Sequence, residues 1–188
     1  MKKIITIIGD SQLKDTDQAY QLALTLGKTL IDHQYRIMTG GLGGVQLAVC
    51  QGAKQSKHYL EGDTIAILPS FDKQDANAYS DIVIPTGLDL ARNIINVSSD
   101  AVIVMGGKAG TLSEIASAWS LYKLIIAFTQ IPGWGSDLAG KKVDNRKRYE
   151  TIPEDQIYPV QDSQTVIALL AKYIPLYNKA HHGIKWRQ

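Results

Sequence analysis

Short runs of apolar, β-branched residues alternate along the chain with longer stretches in which apolar residues recur at helical spacing. This alternation is typical of parallel strands joined by helical crossovers, because each crossover helix buries one face on the sheet. Strands are predicted at residues 3–8, 35–39, 64–68, 82–85, 101–105 and 124–128, and helices at residues 16–31, 45–57, 88–98, 111–122 and 162–173. We expect an α/β, Rossmann-like, doubly wound and mainly parallel sheet of about six or seven strands, with helices on both faces.

Two stretches fit neither pattern and are predicted to be loops. They are residues 69–79 and residues 130–150, the second of which holds three glycines and one proline. The basic cluster at residues 141–148 is interpreted as a solvated face, with a phosphate or nucleic-acid contact as the alternative. A chain of 188 residues suits one domain, which we place at residues 1–178, followed by a loose C-terminal tail at residues 179–188.

Composition narrows the function classes. Hydrophobic residues make up 45% and charged residues 20% of the chain, as in an ordinary globular protein. The net charge of +2 is too small to attract nucleic acid or acidic lipid strongly, so neither nucleic acid nor a membrane is expected as a partner. Cys50 is the single cysteine, which excludes an internal disulfide and fits a cytoplasmic protein. The histidines lack metal-ligand spacing, so no metal is expected.

Three glycine-rich turns follow predicted strands. Gly9-Asp10-Ser11 follows the first strand, residues 40–44 follow the second and residues 106–111 follow the fifth. In an open parallel sheet such turns meet where the strands end, and helix amino termini there present unpaired N–H groups to anions. The residues predicted to bind phosphate are Gly9, Ser11, Gly40, Gly41, Gly43, Gly44, Gly106, Gly107, Gly110 and Thr111.

The spacing of these turns argues against two common nucleotide-binding loops. Each turn taken alone could be no more than a tight turn, for which glycine is the usual residue. The nucleoside-triphosphatase loop needs Gly-Lys followed by Ser or Thr, and none of the three turns has that order. The first turn also lacks the dinucleotide fingerprint, so hydride transfer with a nicotinamide cofactor is disfavoured.

The motifs around these turns resemble those of a known family. They are Gly40-Gly41-x-x-Gly44, Ala91-Arg92-Asn93 and Gly106-Gly107-x-x-Gly110-Thr111-x-x-Glu114. Over residues 3–170 the chain resembles the Lonely Guy (LOG) family, often mislabelled as lysine decarboxylases, and its relatives the molybdenum cofactor carrier proteins. The resemblance implies a Rossmann-like fold, a homo-oligomer (dimer or tetramer), a bound nucleoside monophosphate and no required cofactor or metal. Family enzymes hydrolyse the N-glycosidic bond of such nucleotides, releasing a base and ribose 5-phosphate.

The resemblance places the family's catalytic pair on Arg92 and Glu114. A carboxylate beside the anomeric carbon can stabilise the positive charge that builds on the sugar, and an arginine can hold that carboxylate or a phosphate. Two structural alternatives stay open. Thr111 and Glu114 have the spacing of a helix capping box, and Arg92 could form a surface salt bridge.

Two functions therefore remain in view. The first is hydrolysis of nucleoside 5′-monophosphates, and the second is non-catalytic carriage of a nucleotide or of the molybdenum cofactor. Met105 stands where the catalytic branch of the family has proline, and Asn93 and Asn96 stand where it has lysine and methionine. These departures favour the carrier-like branch.

Overall fold

A parallel sheet forms the centre of the fold. The computed structural model describes residues 1–183, so residues 184–188 of the predicted tail lie outside the described residues. The strands are β1 (Ile4–Gly9), β2 (Arg36–Thr39), β3 (Thr64–Leu68), β4 (Ile82–Pro85), β5 (Ala101–Met105), β6 (Leu124–Phe128) and β7 (Ile157–Val160). They form one seven-stranded sheet in the order β4-β3-β2-β1-β5-β6-β7, and every pair is parallel. The predicted Rossmann-like α/β fold is confirmed.

Within residues 1–183, six helices cover the two faces of this sheet. They are α1 (Gln18–Asp32), α2 (Val45–Ala53), α3 (Asn93–Asn96), α4 (Ala109–Ser120), α5 (Trp134–Leu138) and α6 (Ser163–Tyr173). Helix α1 packs against α2 and α6, whereas α4 packs against α3 and α5. Alternate side chains of each strand point to opposite faces, so the sheet has one apolar core under α1, α2 and α6 and another under α4. Among residues 1–183, no helix has the length and apolar character needed to span a bilayer.

The strand order reverses between β1 and β5, and this reversal locates the ligand crevice. The chain passes from β1 outward to β4 and then returns to lie beside β1 as β5. The connections leaving β1 and β5 therefore go to opposite faces of the sheet and open a gap between the two strand ends. The turns that follow β1, β2 and β5 all lie at this edge, because those three strands are neighbours.

Several predicted elements were wrong in type or extent. The helix predicted at residues 88–98 is a 3-10 turn, Asp89–Arg92, followed by the short α3. Most of its apolar residues are exposed, Leu90 to 69% and Ile94 to 52%, so little core packing supports a longer helix. The helix predicted at residues 45–57 ends at Ala53. The predicted loop at residues 69–79 contains a 3-10 turn, Lys73–Asp75.

The C-terminal third contains two elements that the sequence pattern missed. Helix α5 lies inside the predicted loop at residues 130–150, and its first residue, Trp134, donates its amide to the carbonyl of Gly107 (3.0 Å). Strand β7 was missed because Pro159 interrupts its apolar run, but proline is tolerated on an edge strand. The solvated face predicted at residues 141–148 is wrong at Arg148, which is 2% exposed.

Candidate functional site

A cavity of about 200 Å³ lies at the carboxyl edge of the sheet, beside the crevice. Six of the predicted site residues line it: Gly9, Ser11, Arg92, Gly110, Thr111 and Glu114. The other six lie outside its lining: Gly40, Gly41, Gly43, Gly44, Gly106 and Gly107. Only some of the predicted glycines therefore line the cavity, although all of them were predicted to bind phosphate.

The glycines of the second turn allow close packing around the cavity. Gly44 has a φ of 59°, and a Cβ there would overlap the carbonyl oxygen of Asp10, so this turn can rest directly on the turn after β1. A Cβ at Gly40 would lie 2.5 Å from Nη2 of Arg92. The absence of side chains here lets the guanidinium of Arg92 lie against the backbone of the turn after β2.

The amino terminus of α4 supplies hydrogen-bond donors to the cavity. The helix begins at Ala109, and its N-cap residue Lys108 makes no side-chain cap. The first four amides of a helix have no acceptor within the helix, and they carry the positive end of the helix dipole. Gly110 and Thr111 line the cavity within this first turn, and the side chain of Lys108 lines it as well. This arrangement suits an anion.

Arg92 and Glu114 are brought together in the wall of the cavity. Nη1 of Arg92 lies 3.4 Å from Oε1 of Glu114, and Nδ2 of Asn96 donates to the same oxygen at 2.8 Å. Both charged residues are buried, with exposures of 8% and 7%. Arg92 is therefore not part of a surface salt bridge. The capping-box alternative is also wrong, because Thr111 lies inside the first turn of α4 and the Glu114 carboxylate is engaged by groups on the preceding segment.

Burial governs the ionisation of this pair. It raises the pKa of Glu114 above its ordinary value, although the hydrogen bond from Asn96 and the charge of Arg92 both act in the opposite direction. Burial also lowers the pKa of Arg92, against the opposing charges of Glu114 and Asp89. A guanidinium stays protonated even so. Glu114 thus holds a proton at higher pH than an exposed glutamate, which reduces its repulsion of a nearby anion.

Replacing Glu114 with glutamine is expected to change how stability depends on pH. Because the folded-state pKa is raised, the folded protein keeps this proton where the unfolded chain has lost it, so stability falls as pH rises from the ordinary glutamate pKa through the raised one. We expect the free energy of unfolding of Glu114→Gln, relative to the parent protein, to increase across that window and then level off. Urea denaturation from about pH 4 to pH 8 measures it, and a pH-independent difference would contradict the prediction.

Other polar residues at the cavity were not predicted. Gln46 accepts a hydrogen bond from the amide of Leu42 (2.8 Å), and Lys108 donates to Gln12 (3.1 Å) across the mouth of the cavity. Asn96 donates a hydrogen bond to Glu114 and lies four residues after Arg92. Residues four apart share one face of a helix, so this spacing was a signal that could have identified Asn96. Among the described residues, no group of three or more His, Cys, Asp and Glu is placed to hold a metal ion.

A match to a family model shows which protein family this chain belongs to. A model of the SLOG cluster4 family matches residues 2–165, which is most of the chain. The chain belongs to the SLOG cluster4 family. This result confirms the LOG-like relationship that the glycine motifs predicted.

Solved structures similar to this SLOG cluster4 protein include two proteins that are named for binding or carrying a cofactor. The molybdenum cofactor binding protein from the phototrophic bacterium Rippkaea orientalis is 32% identical with a TM-score of 0.73, over 93% of this chain and 98% of that one. The molybdenum cofactor carrier protein from Chlamydomonas reinhardtii is 26% identical with a TM-score of 0.68, over 91% and 98%. The structural-genomics target TM1055 is 25% identical with a TM-score of 0.76, over 90% and 99%.

Proposed function

We propose that this protein binds the phosphate of a nucleotide-like molecule at the start of α4 and carries that molecule without cleaving it. The molybdenum cofactor, a phosphorylated pterin compound, is the cargo we favour, because two similar structures are described as binding or carrying it. The observation that carries the proposal is the lining of the small cavity. Uncapped helix amides, Lys108 and Arg92 meet there around a space that can accept a phosphate group.

The surroundings of Glu114 support carriage over hydrolysis. One of its oxygens is already held by Asn96 and faces Arg92, and Asn96 stands where the catalytic branch of the family has methionine. Hydrolysis of nucleoside monophosphates is the second candidate. It is favoured by a buried carboxylic acid with a raised pKa at the cavity, which is the property of a group that protonates a leaving base.

Replacing Lys108 with methionine tests the phosphate site. Lys108 is exposed at the cavity, so the change should leave the fold intact while removing one cation from the phosphate. We expect ribose 5-phosphate to bind about tenfold more weakly, as for the loss of one charge-assisted hydrogen bond. Isothermal titration calorimetry measures the affinity. Lys14→Met is the control, because Lys14 is also exposed but lies outside the cavity lining, and equal weakening in both variants would contradict the site.

Product analysis separates the two candidate functions. A carrier binds nucleoside monophosphates or the molybdenum cofactor and returns them intact, whereas a hydrolase releases free base. Chromatography of AMP and GMP after incubation with saturating protein distinguishes these outcomes. Base release that disappears in Glu114→Gln, with binding retained, would overturn carriage and establish the second candidate.

The other predictions about partners form part of the proposal. We infer a homo-oligomer, and exposed apolar side chains on the segment that lines the cavity support it: Leu88 is 48%, Leu90 69% and Ile94 52% exposed. Neighbouring exposed apolar side chains are a common feature of protein–protein interfaces. A cytoplasmic location and the absence of a nucleic-acid partner stay predictions from composition.

A further inference from the structure

A second, larger cavity of about 740 Å³ lies next to the phosphate cavity. We call it the α1 groove, since its walls are the first half of α1 and the loops that follow β6 and β7. Asp10 lines both cavities, and within the turn after β1 Gln12 faces the small cavity whereas Leu13 faces the groove. The two cavities therefore border the same turn, residues 10–13, at the carboxyl end of the central strand.

The small cavity cannot enclose a whole nucleotide-like ligand. Its 200 Å³ is below the range of about 300–1,000 Å³ that is typical of pockets for ligands of that size. A ligand whose phosphate occupies it must extend outward. The α1 groove lies beside the small cavity, at the point where the strand order reverses. Ligands of open α/β sheets usually bind in the crevice at that point.

The groove differs from the small cavity in charge. The small cavity is lined by the cations of Arg92 and Lys108 as well as by Asp10 and Glu114, whereas the lining of the groove includes Asp10 and Asp17 and, among the described residues, no Lys, Arg or His. A ligand that spans both is therefore anionic at one end and rich in N–H donors at the other.

Each of the two carboxylates of the groove has one oxygen that can accept a hydrogen bond from a ligand. Asp17 is the N-cap residue of α1 but does not cap that helix; its Oδ2 accepts the amide of Lys14 at 2.8 Å. Oδ1 of Asp10 accepts the amide of Gln12 at 2.9 Å. Within residues 1–183, no group donates a hydrogen bond to the other oxygen of either carboxylate. An aspartate at an N-cap position normally accepts from its own helix, whereas Asp17 accepts from the preceding turn and leaves Oδ1 without a donor from the described part of the chain.

One apolar wall of the groove is joined to the phosphate-binding turn. Ile131 and Pro132 form this wall, and Ile131 is only 4% exposed. Gly133 forms a parallel bridge with Gly107, and the amide of Trp134 donates to the carbonyl of Gly107 at 3.0 Å. The wall and the turn that starts α4 are thus held in a fixed relation, which suits a flat ring at a set distance from a phosphate.

We propose that the α1 groove binds the fused heterocycle of the ligand, and that this ring carries the 2-amino-4-oxopyrimidine edge shared by guanine and pterins. The amino and ring N–H groups of this edge donate to the carboxylates of Asp17 and Asp10, and the ring face packs on Pro132, beside the buried Ile131. The proposal rests on the proposed phosphate site and adds the class of heterocycle. An adenine edge presents fewer N–H donors and fits two carboxylates less well.

Calorimetric titration with matched ligands tests this inference. The probes are ribose 5-phosphate, AMP, IMP and GMP; IMP differs from GMP only in lacking the 2-amino group. We expect GMP to bind at least about tenfold more tightly than ribose 5-phosphate, with AMP and IMP weaker than GMP, as for an added hydrogen bond to a charged acceptor. Competition by an unphosphorylated pterin against GMP shows whether a pterin ring takes the same place: displacement identifies the pterin as occupant, and its absence identifies guanine.

Two variants separate this inference from the proposed function. In Asp17→Asn the advantage of GMP over ribose 5-phosphate should disappear while ribose 5-phosphate binds as before. Asp15→Asn is the control, because Asp15 is exposed nearby but does not line the groove. If no probe binds, the phosphate site itself fails. If ribose 5-phosphate binds but GMP binds no better, or if Asp17→Asn leaves the GMP advantage intact, the heterocycle site is overturned and the phosphate site stands.

Discussion

Replacing Arg148 with methionine should lower the free energy of unfolding by about 3–5 kcal/mol, because it leaves a buried carboxylate without its partner. The guanidinium makes a bidentate pair with Asp155, from Nε to Oδ2 at 2.8 Å and from Nη2 to Oδ1 at 2.5 Å. Its carbon centre lies 3.6 Å from the ring centroid of Trp119, and its Nη1 donates to the carbonyls of Trp119 and Lys123. One side chain thus joins the connection before β7 to the end of α4.

The matched control for this prediction is Arg146→Met. Arg146 also pairs with an aspartate, since its Nη2 lies 2.6 Å from Oδ2 of Asp144, but 58% of its side chain is exposed. A solvent-exposed pair contributes about 0–1 kcal/mol. Urea denaturation of both variants measures the contrast. Equal losses of stability would show that burial of Arg148 does not decide its contribution.

The second large effect is expected at the contact between α1 and α2. A Cβ at Gly52 would overlap the carbonyl oxygen of Leu24, and a Cβ at Gly27 would overlap the carbonyl oxygen of Val49. The two helices can approach this closely only because each has a glycine at the crossing. Gly52→Ala should therefore destabilise the protein by about 3 kcal/mol, the upper part of the usual range for overpacking, less a small gain in helix propensity.

Gly110→Ala makes the same substitution in another helix and should have the opposite sign. No atom lies within 4 Å of a Cβ placed there, so the gain in helix propensity, up to about 1 kcal/mol, is not offset by a clash. Thermal and urea unfolding of the two alanine variants test the pair. If Gly52→Ala loses no stability, the close contact between α1 and α2 is contradicted; if Gly110→Ala loses stability, the open space at that position is contradicted.

Much of the fold could be predicted because the information for it is local. Six of the seven strands lie within a residue or two of the predicted ranges, since a buried parallel strand is an uninterrupted apolar, β-branched run. The wrong secondary-structure predictions concern segments in which the apolar pattern does not match burial or is interrupted. Leu90 and Ile94 have helical spacing but are exposed. Pro159 interrupts the apolar run of β7, which is an edge strand paired only with β6.

The sequence by itself determined the α/β class and the three glycine turns, because strand and turn preferences act over a few neighbouring residues. Arg92 and Glu114 were proposed from the motifs of a similar family. Only the tertiary structure decided which of these residues meet. Asn96 reaches Glu114 across 18 positions of chain, and the α1 groove joins Asp17 to Pro132. Contacts of this kind depend on the order of strands in the sheet, which no local pattern encodes.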